Sequence, residues 1–149
     1  SLERGLPEEL HNFINRLKQQ YTMEIVHQKC KPKFYHEFAL SKLKSSGYKL
    51  AVCSNSVRNS VQIMLDKASL LGYMEFFISN QDVSKGKPDP EMYINAIDRL
   101  GLKPKECLII EDNEHGIAAA KASGANVMEV ETVEDVNYLN IHKHINLFE

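Results

Sequence analysis

Three short stretches of the chain carry residues suited to binding an anion and a cation together. Ser54-Asn55-Ser56 follows the apolar run Leu50–Cys53. Small hydroxyl and amide groups that open a helix present a side-chain O–H and backbone N–H groups to an anion. The same tripeptide equally suits an ordinary helix N-cap. Lys87 stands before Pro88, which biases the lysine to extended backbone and fixes its direction. A positioned ammonium neutralises a phosphate. Lys85 nearby reads as a solvated loop lysine, and Lys87 standing alone would read the same way. Glu111-Asp112-Asn113 ends the apolar run Glu106–Ile110. Two adjacent carboxylates there are costly unless something positive meets them. Hard oxygen ligands beside a phosphate suit Mg²⁺, which favours one or two carboxylates plus phosphate and water. Asp112 or Asn113 also suits the acidic N-cap of a following helix.

Other titratable residues carry less. Cys53 precedes Ser54 without a His/Asp partner set, so it reads as a buried spectator. His115 beside the acidic stretch reads as solvent-facing. His142 and His144 lie two apart, and a solvated tail is the better reading than a metal site. Leu10, Phe13, Ile14 and Leu17 mark an apolar helix face near the start, most simply a packing surface.

These residues need a scaffold, and the composition permits one. The chain has 149 residues, 43% hydrophobic and 26% charged, the size and make-up of one packed domain. Lys plus Arg number 18 against 20 Asp plus Glu, for a formal charge of −2. That balance argues against a nucleic-acid partner. No apolar run is long enough to cross a bilayer, and SLERGLPEEL shows no secretory signal pattern. Cys30, Cys53 and Cys107 are far apart with no CxxC pair, as expected for reduced thiols in the cytoplasm.

Strand-length apolar runs occupy Tyr48–Cys53, Glu75–Ser79, Glu106–Ile110 and Ala125–Val130. Helical stripes lie between them: Val57, Val61, Met64, Leu65 and Ala68, then Met92, Tyr93, Ala96, Ile97 and Leu100. The second of these has Asp89 as N-cap, Pro90 at the first helical position and Gly101 past its end. Phe34, Phe38 and Leu43 begin another helix closed by Gly47, and Ile117, Ala118 and Ala122 one closed by Gly124. Helix, then strand–helix four times over, predicts βαβ units in a Rossmann-like three-layer α/β domain with a mainly parallel sheet. Ligands of such sheets sit at the carboxyl ends of the strands, where all three stretches fall. Tyr21–Val26 reads as helix continuing toward Pro32.

KLAVCSNS, GKPDPEMY and LIIEDNEHGIAAAKASGA, in this order and with spacings of 33 and 24 positions from Ser54 to Lys87 and from Lys87 to Glu111, resemble three motifs of the haloacid dehalogenase-like superfamily of phosphatases. The likeness covers about Lys33 to Val130 and is nearest to the branch of β-phosphoglucomutase and phosphoglycolate phosphatase. It implies that Ser54, helped by Asn55, binds the transferring phosphoryl group. It further implies that Lys87 offsets charge on the phosphoryl oxygens and the nucleophile. Asp112 would bind Mg²⁺, with Glu111 as a second ligand or a water-mediated one. The implied activity is Mg²⁺-dependent hydrolysis of a small phosphorylated metabolite. A phosphosugar mutase, or a non-catalytic α/β binding or regulatory domain, are the alternatives.

One departure matters. The family's first motif, Asp-x-Asp at the end of the first strand, supplies the nucleophile, and no Asp-x-Asp occurs in the chain. Residues 1–32 then read as a partial helical cap segment and 33–149 as the core without its first strand. In the family that strand lies between those corresponding to Tyr48–Cys53 and Glu106–Ile110. The slot would be filled by Tyr21–Val26, by a strand-swapped homodimer, by closure of the flanking strands, or by a complementing N-terminal segment.

Overall fold

A computed structural model describes residues 33–149. The readings for Leu10–Leu17 and Tyr21–Val26 lie outside these residues. Five helices and four strands alternate: α1 Phe34–Ser45, β1 Ala51–Cys53, α2 Arg58–Lys67, β2 Phe76–Ile78, α3 Glu91–Arg99, β3 Leu108–Glu111, α4 Glu114–Ala122, β4 Asn126–Glu129 and α5 Tyr138–Asn146. The glycines expected to end three helices, Gly47, Gly101 and Gly124, have φ of 94°, 71° and 85°. That left-handed region is where glycine stops a helix without strain.

All pairing among the described strands is parallel. β1 pairs with β2, Val52 opposite Phe77, and β3 pairs with β4, Ile109 opposite Val127. β1 and β3 do not pair, so the described sheet consists of two halves. Closure of the two flanking strands onto each other therefore does not occur.

Side-chain alternation along β3 accounts for the layers. Ile109 packs with Tyr93 and Ile97 of α3 and Ala119 and Ala120 of α4. Leu108 and Ile110 pack on the opposite cluster of Ala39, Leu43, Met128, Ile141 and Ile145, drawn from α1, β4 and α5. A strand covered on both faces is apolar at successive positions, as in the run CLII. α3 spans the two halves: Met92 and Ala96 pack with Ile78 while Tyr93 and Ile97 pack with Ile109, and Cys53 touches both groups.

Two local expectations are corrected. The N-cap of α3 is Pro90, and Asp89 lies one residue earlier, its Oδ1 accepting the Glu91 N–H at 3.0 Å. The solvated tail around His142 and His144 is helix α5. Its start is capped by Asn137, and Ile141 and Ile145 are buried against α1 and β4. The histidine pair drew attention away from an Ile141/Ile145 spacing of one helical turn. No helix among the described residues is long and apolar enough to cross a membrane.

If α5 is part of the core, Ile145→Ala should destabilise the protein by about 2–5 kcal/mol. Leu139→Ala on the exposed face of the same helix should stay within about 0.5 kcal/mol. Urea unfolding measures both, and equal small effects would return α5 to a solvated tail.

Candidate active site

Lys87 is the centre of the site, and its backbone is fixed before its side chain is used. The Asn55 side chain clamps it twice, Oδ1 accepting the Lys87 N–H at 2.9 Å and Nδ2 donating to the Lys87 carbonyl at 3.2 Å. Gly86 lets the amide approach, since a Cβ there would stand 2.7 Å from Asn55 Oδ1. Glu91 gathers the rest of the loop by accepting the Ser84 N–H at 2.7 Å and the Lys85 N–H at 3.3 Å. Lys87–Pro88 is a cis peptide.

From that anchor the Lys87 ammonium crosses from one half-sheet to the other. It donates to the Cys53 carbonyl at the end of β1, at 2.8 Å, and to Glu111 Oε1 at the end of β3, at 2.5 Å. Both side chains are over 90% buried. An ammonium has three N–H donors, and two of them are taken among the described residues. Glu111 Oε1 also accepts the Tyr93 hydroxyl, and the ring of Tyr93 lies 4.9 Å from Lys87 Nζ. The Glu111 carboxylate occupies the space where a side chain at Gly116 would stand. A pair this buried is sustained by its own hydrogen bonds, because either charge alone would lack compensation.

The remaining candidates surround this pair. The Ser54 hydroxyl accepts the Ser56 N–H at 3.1 Å, which leaves its own proton to donate. Asn113 is the N-cap of α4, its Oδ1 accepting the Gly116 N–H at 2.8 Å. Asp112 is therefore not consumed as a cap. It is exposed, and its nearest polar partner is Asn113 Nδ2 at 3.4 Å. Ser54, Asn55, Lys87, Tyr93, Glu111 and Asp112 all line one cleft of about 690 Å³ between β1 and β3.

The family model described as haloacid dehalogenase-like hydrolase matches residues 3–130. The chain belongs to this family. Similar curated proteins include a bifunctional riboflavin kinase/FMN phosphatase of Arabidopsis thaliana. It is 35% identical over 100 residues, covering 65% of this chain and 26% of that protein. A phosphorylated carbohydrates phosphatase of Thermotoga maritima is 33% identical over 86 residues, covering 58% of this chain and 40% of that protein. The matched region thus spans less than half of either relative. The crystal structure of β-phosphoglucomutase from Clostridium difficile shares the fold, with a TM-score of 0.78 at 18% identity. That match covers 98% of this chain and 71% of the other.

Within the family, the geometry adds detail that the motifs do not carry. Asn55 spends both ends of its amide on the Lys87 backbone, so it holds the lysine at the wall of the cleft. Tyr93 went unrecognised because it fell on the apolar stripe of α3. Its polar tip on a core-facing position was the available signal. The metal question turns on Asp112 and Glu111. No cluster of three or more His, Cys, Asp or Glu residues occurs among the described residues. The exposed Asp112 carboxylate lines the same cleft as the Lys87 ammonium, and it is the kind of hard oxygen ligand that Mg²⁺ takes in small number.

Burial pushes the Cys53 thiol up to about 12, outweighing the nearby Lys87 ammonium, which lowers it. Burial and the hydrogen bond to Glu111 likewise raise the Tyr93 hydroxyl. Cys53 is no nucleophile at neutral pH. Its thiolate fraction at pH 8 is about 10⁻⁴, so iodoacetamide should leave native Cys53 unmodified while labelling it in urea. Because the folded value is raised, the associated stability is intact below the unfolded thiol pKa and is lost as pH climbs from there toward 12. Rapid native alkylation at pH 8 would contradict the burial.

Gly116→Ala gains about 1 kcal/mol of helix propensity but forces a locked carboxylate aside. The net effect should be destabilising by about 1–3 kcal/mol. Gly86→Ala meets the exposed Asn55 amide and should cost less. Thermal unfolding of the two variants gives the ranking, and the reverse order would overturn it.

Proposed function

We propose that the cleft hydrolyses a small phosphate monoester with Mg²⁺ assistance, using an aspartyl nucleophile supplied by a segment other than these 149 residues. The supporting observation is a buried Lys87–Glu111 pair, two of whose three ammonium donors are taken among the described residues, flanked by the Ser54 hydroxyl and the Asp112 carboxylate. The names of the phosphatase relatives favour a small phosphorylated metabolite. Separate reduced thiols at Cys53 and Cys107 suit the cytoplasm.

Phosphoryl transfer needs positioning and charge stabilisation more than covalent chemistry. Ser54 donates to one phosphoryl oxygen through the proton that its contact with Ser56 leaves available. The third Lys87 donor stabilises charge as the ester P–O bond breaks, at a site where burial strengthens the interaction. Asp112 would hold Mg²⁺, with Glu111 in support, and the ion would neutralise charge on the phosphoryl oxygens. Overall, water adds to phosphorus and the alcohol and inorganic phosphate depart. Among the described residues β1 and β3 do not pair with each other, and a strand carrying the nucleophile would enter between them.

Purified alone, the 149-residue chain should hydrolyse p-nitrophenyl phosphate no faster than background. Co-expressed with a segment bearing Asp-x-Asp, it should gain Mg²⁺-dependent turnover. Asp112→Ala should abolish that turnover and Lys87→Ala should cost on the order of 10²-fold or more. Clear hydrolysis by the chain alone, lost in Asp112→Ala, would show that the nucleophile lies within it. Unchanged turnover in Lys87→Ala would remove the lysine from the mechanism.

A further inference from the structure

Among the described residues, the Tyr93 side chain touches both members of the buried pair. Its hydroxyl donates to Glu111 Oε1, the same oxygen that accepts Lys87 Nζ, and its ring lies 4.9 Å from that ammonium. Only about 8% of Tyr93 is exposed, so its hydroxyl relies chiefly on a protein partner. A buried phenol without a partner costs free energy, and Glu111 is the partner it has. The dependence runs the other way as well. With only Lys87 attached, Glu111 could rotate about its terminal bond and carry the ammonium with it. A second donor on the same oxygen, and Gly116 against the other side of the carboxylate, remove that freedom.

The Lys87 ammonium is thereby bounded on three sides: the Cys53 carbonyl, Glu111 Oε1 and the aromatic face. A cation over a desolvated ring is held by the negative face of the ring's quadrupole. The placement also comes from a rigid element. Tyr93 sits on α3, whose neighbouring side chains Met92 and Ile97 are packed against the two half-sheets separately. The ring therefore transmits the position of the helix to the ammonium and the carboxylate together.

We propose that Tyr93 is a positioning residue of the phosphoryl site, its hydroxyl fixing the Glu111 carboxylate and its ring seating the Lys87 ammonium so that one ammonium donor is kept for the phosphoryl group. This rests on the phosphatase reading, and its first test does not use activity. In the 149-residue chain labelled with ¹⁵N-lysine, the Lys87 ammonium should give a distinct, slowly exchanging ¹H–¹⁵N resonance, assigned by its loss in Lys87→Arg. Tyr93→Phe keeps the ring and removes the hydroxyl, and should speed that exchange at least tenfold with little change in melting temperature. Tyr93→Leu should in addition lose the ring-current shift. Should either variant fail to fold, the reciprocal measurement stands: Lys87→Met should shift the Tyr93 ring resonances in ¹³C-tyrosine protein. A Lys87 resonance that is absent from the wild type, or unmoved in both variants, overturns the proposal, as do unmoved Tyr93 resonances in Lys87→Met.

In the chain complemented with an Asp-x-Asp segment, Tyr93→Phe should lower kcat about tenfold and leave KM within twofold. A fall confined to KM would overturn the positioning role. Resonance changes as expected in a complemented protein that hydrolyses no phosphate ester would support the placement by Tyr93 and refute the phosphatase reading. Hydrolysis with normal kcat in Tyr93→Phe would do the opposite.

Discussion

A buried ion pair joins the two halves of this domain. Lys87 and Glu111 belong to different halves of the sheet, the loop after β2 and the end of β3, and the ammonium also grips the backbone at the end of β1. A pair at such depth is not a cheap source of stability, since desolvation offsets much of its attraction. What it secures is relative placement. The loop after β2 and the end of β3 are brought together where β1 and β3 fail to pair, so the separated half-sheets present one cleft with one charge arrangement.

The surrounding structure reads as support for that pair. Asn55 fixes the lysine backbone, Gly86 gives the amide room, and Gly116 leaves space for the carboxylate. Asn113 takes over the capping of α4, which leaves Asp112 exposed at the cleft with only Asn113 beside it among the described residues. α3 packs on both half-sheets at once through adjacent residues, Met92 to one side and Tyr93 to the other. Polar residues that look interchangeable in the sequence are divided between holding the site and facing a ligand.

Much of this was legible in the sequence. Three of the four strands fall inside the apolar runs and β3 extends one residue past its run to Glu111, because a strand buried on both faces needs an unbroken apolar stretch. The helix ends at Gly47, Gly101 and Gly124 were visible because only glycine takes positive φ freely. The strand-end positions of Ser54, Lys87 and Asp112 were visible because βαβ order puts them on one edge. Three things were hidden for physical reasons. Asn55 and Ser54 are adjacent and both polar, and only tertiary contact shows that one serves the Lys87 backbone. Tyr93 matched the apolar stripe, as amphipathic aromatics do. α5 was obscured by His142 and His144 on its outer face, although Ile141 and Ile145 carry its packing.

The central claim is that the Lys87–Glu111 pair holds an ammonium donor ready for a phosphoryl group. Calorimetric titration of inorganic phosphate with Mg²⁺ present, into the wild type and into Lys87→Met, tests it most directly. The wild type should bind phosphate, and Lys87→Met should lose at least tenfold in affinity while remaining folded. Equal phosphate binding by the two proteins would contradict the account.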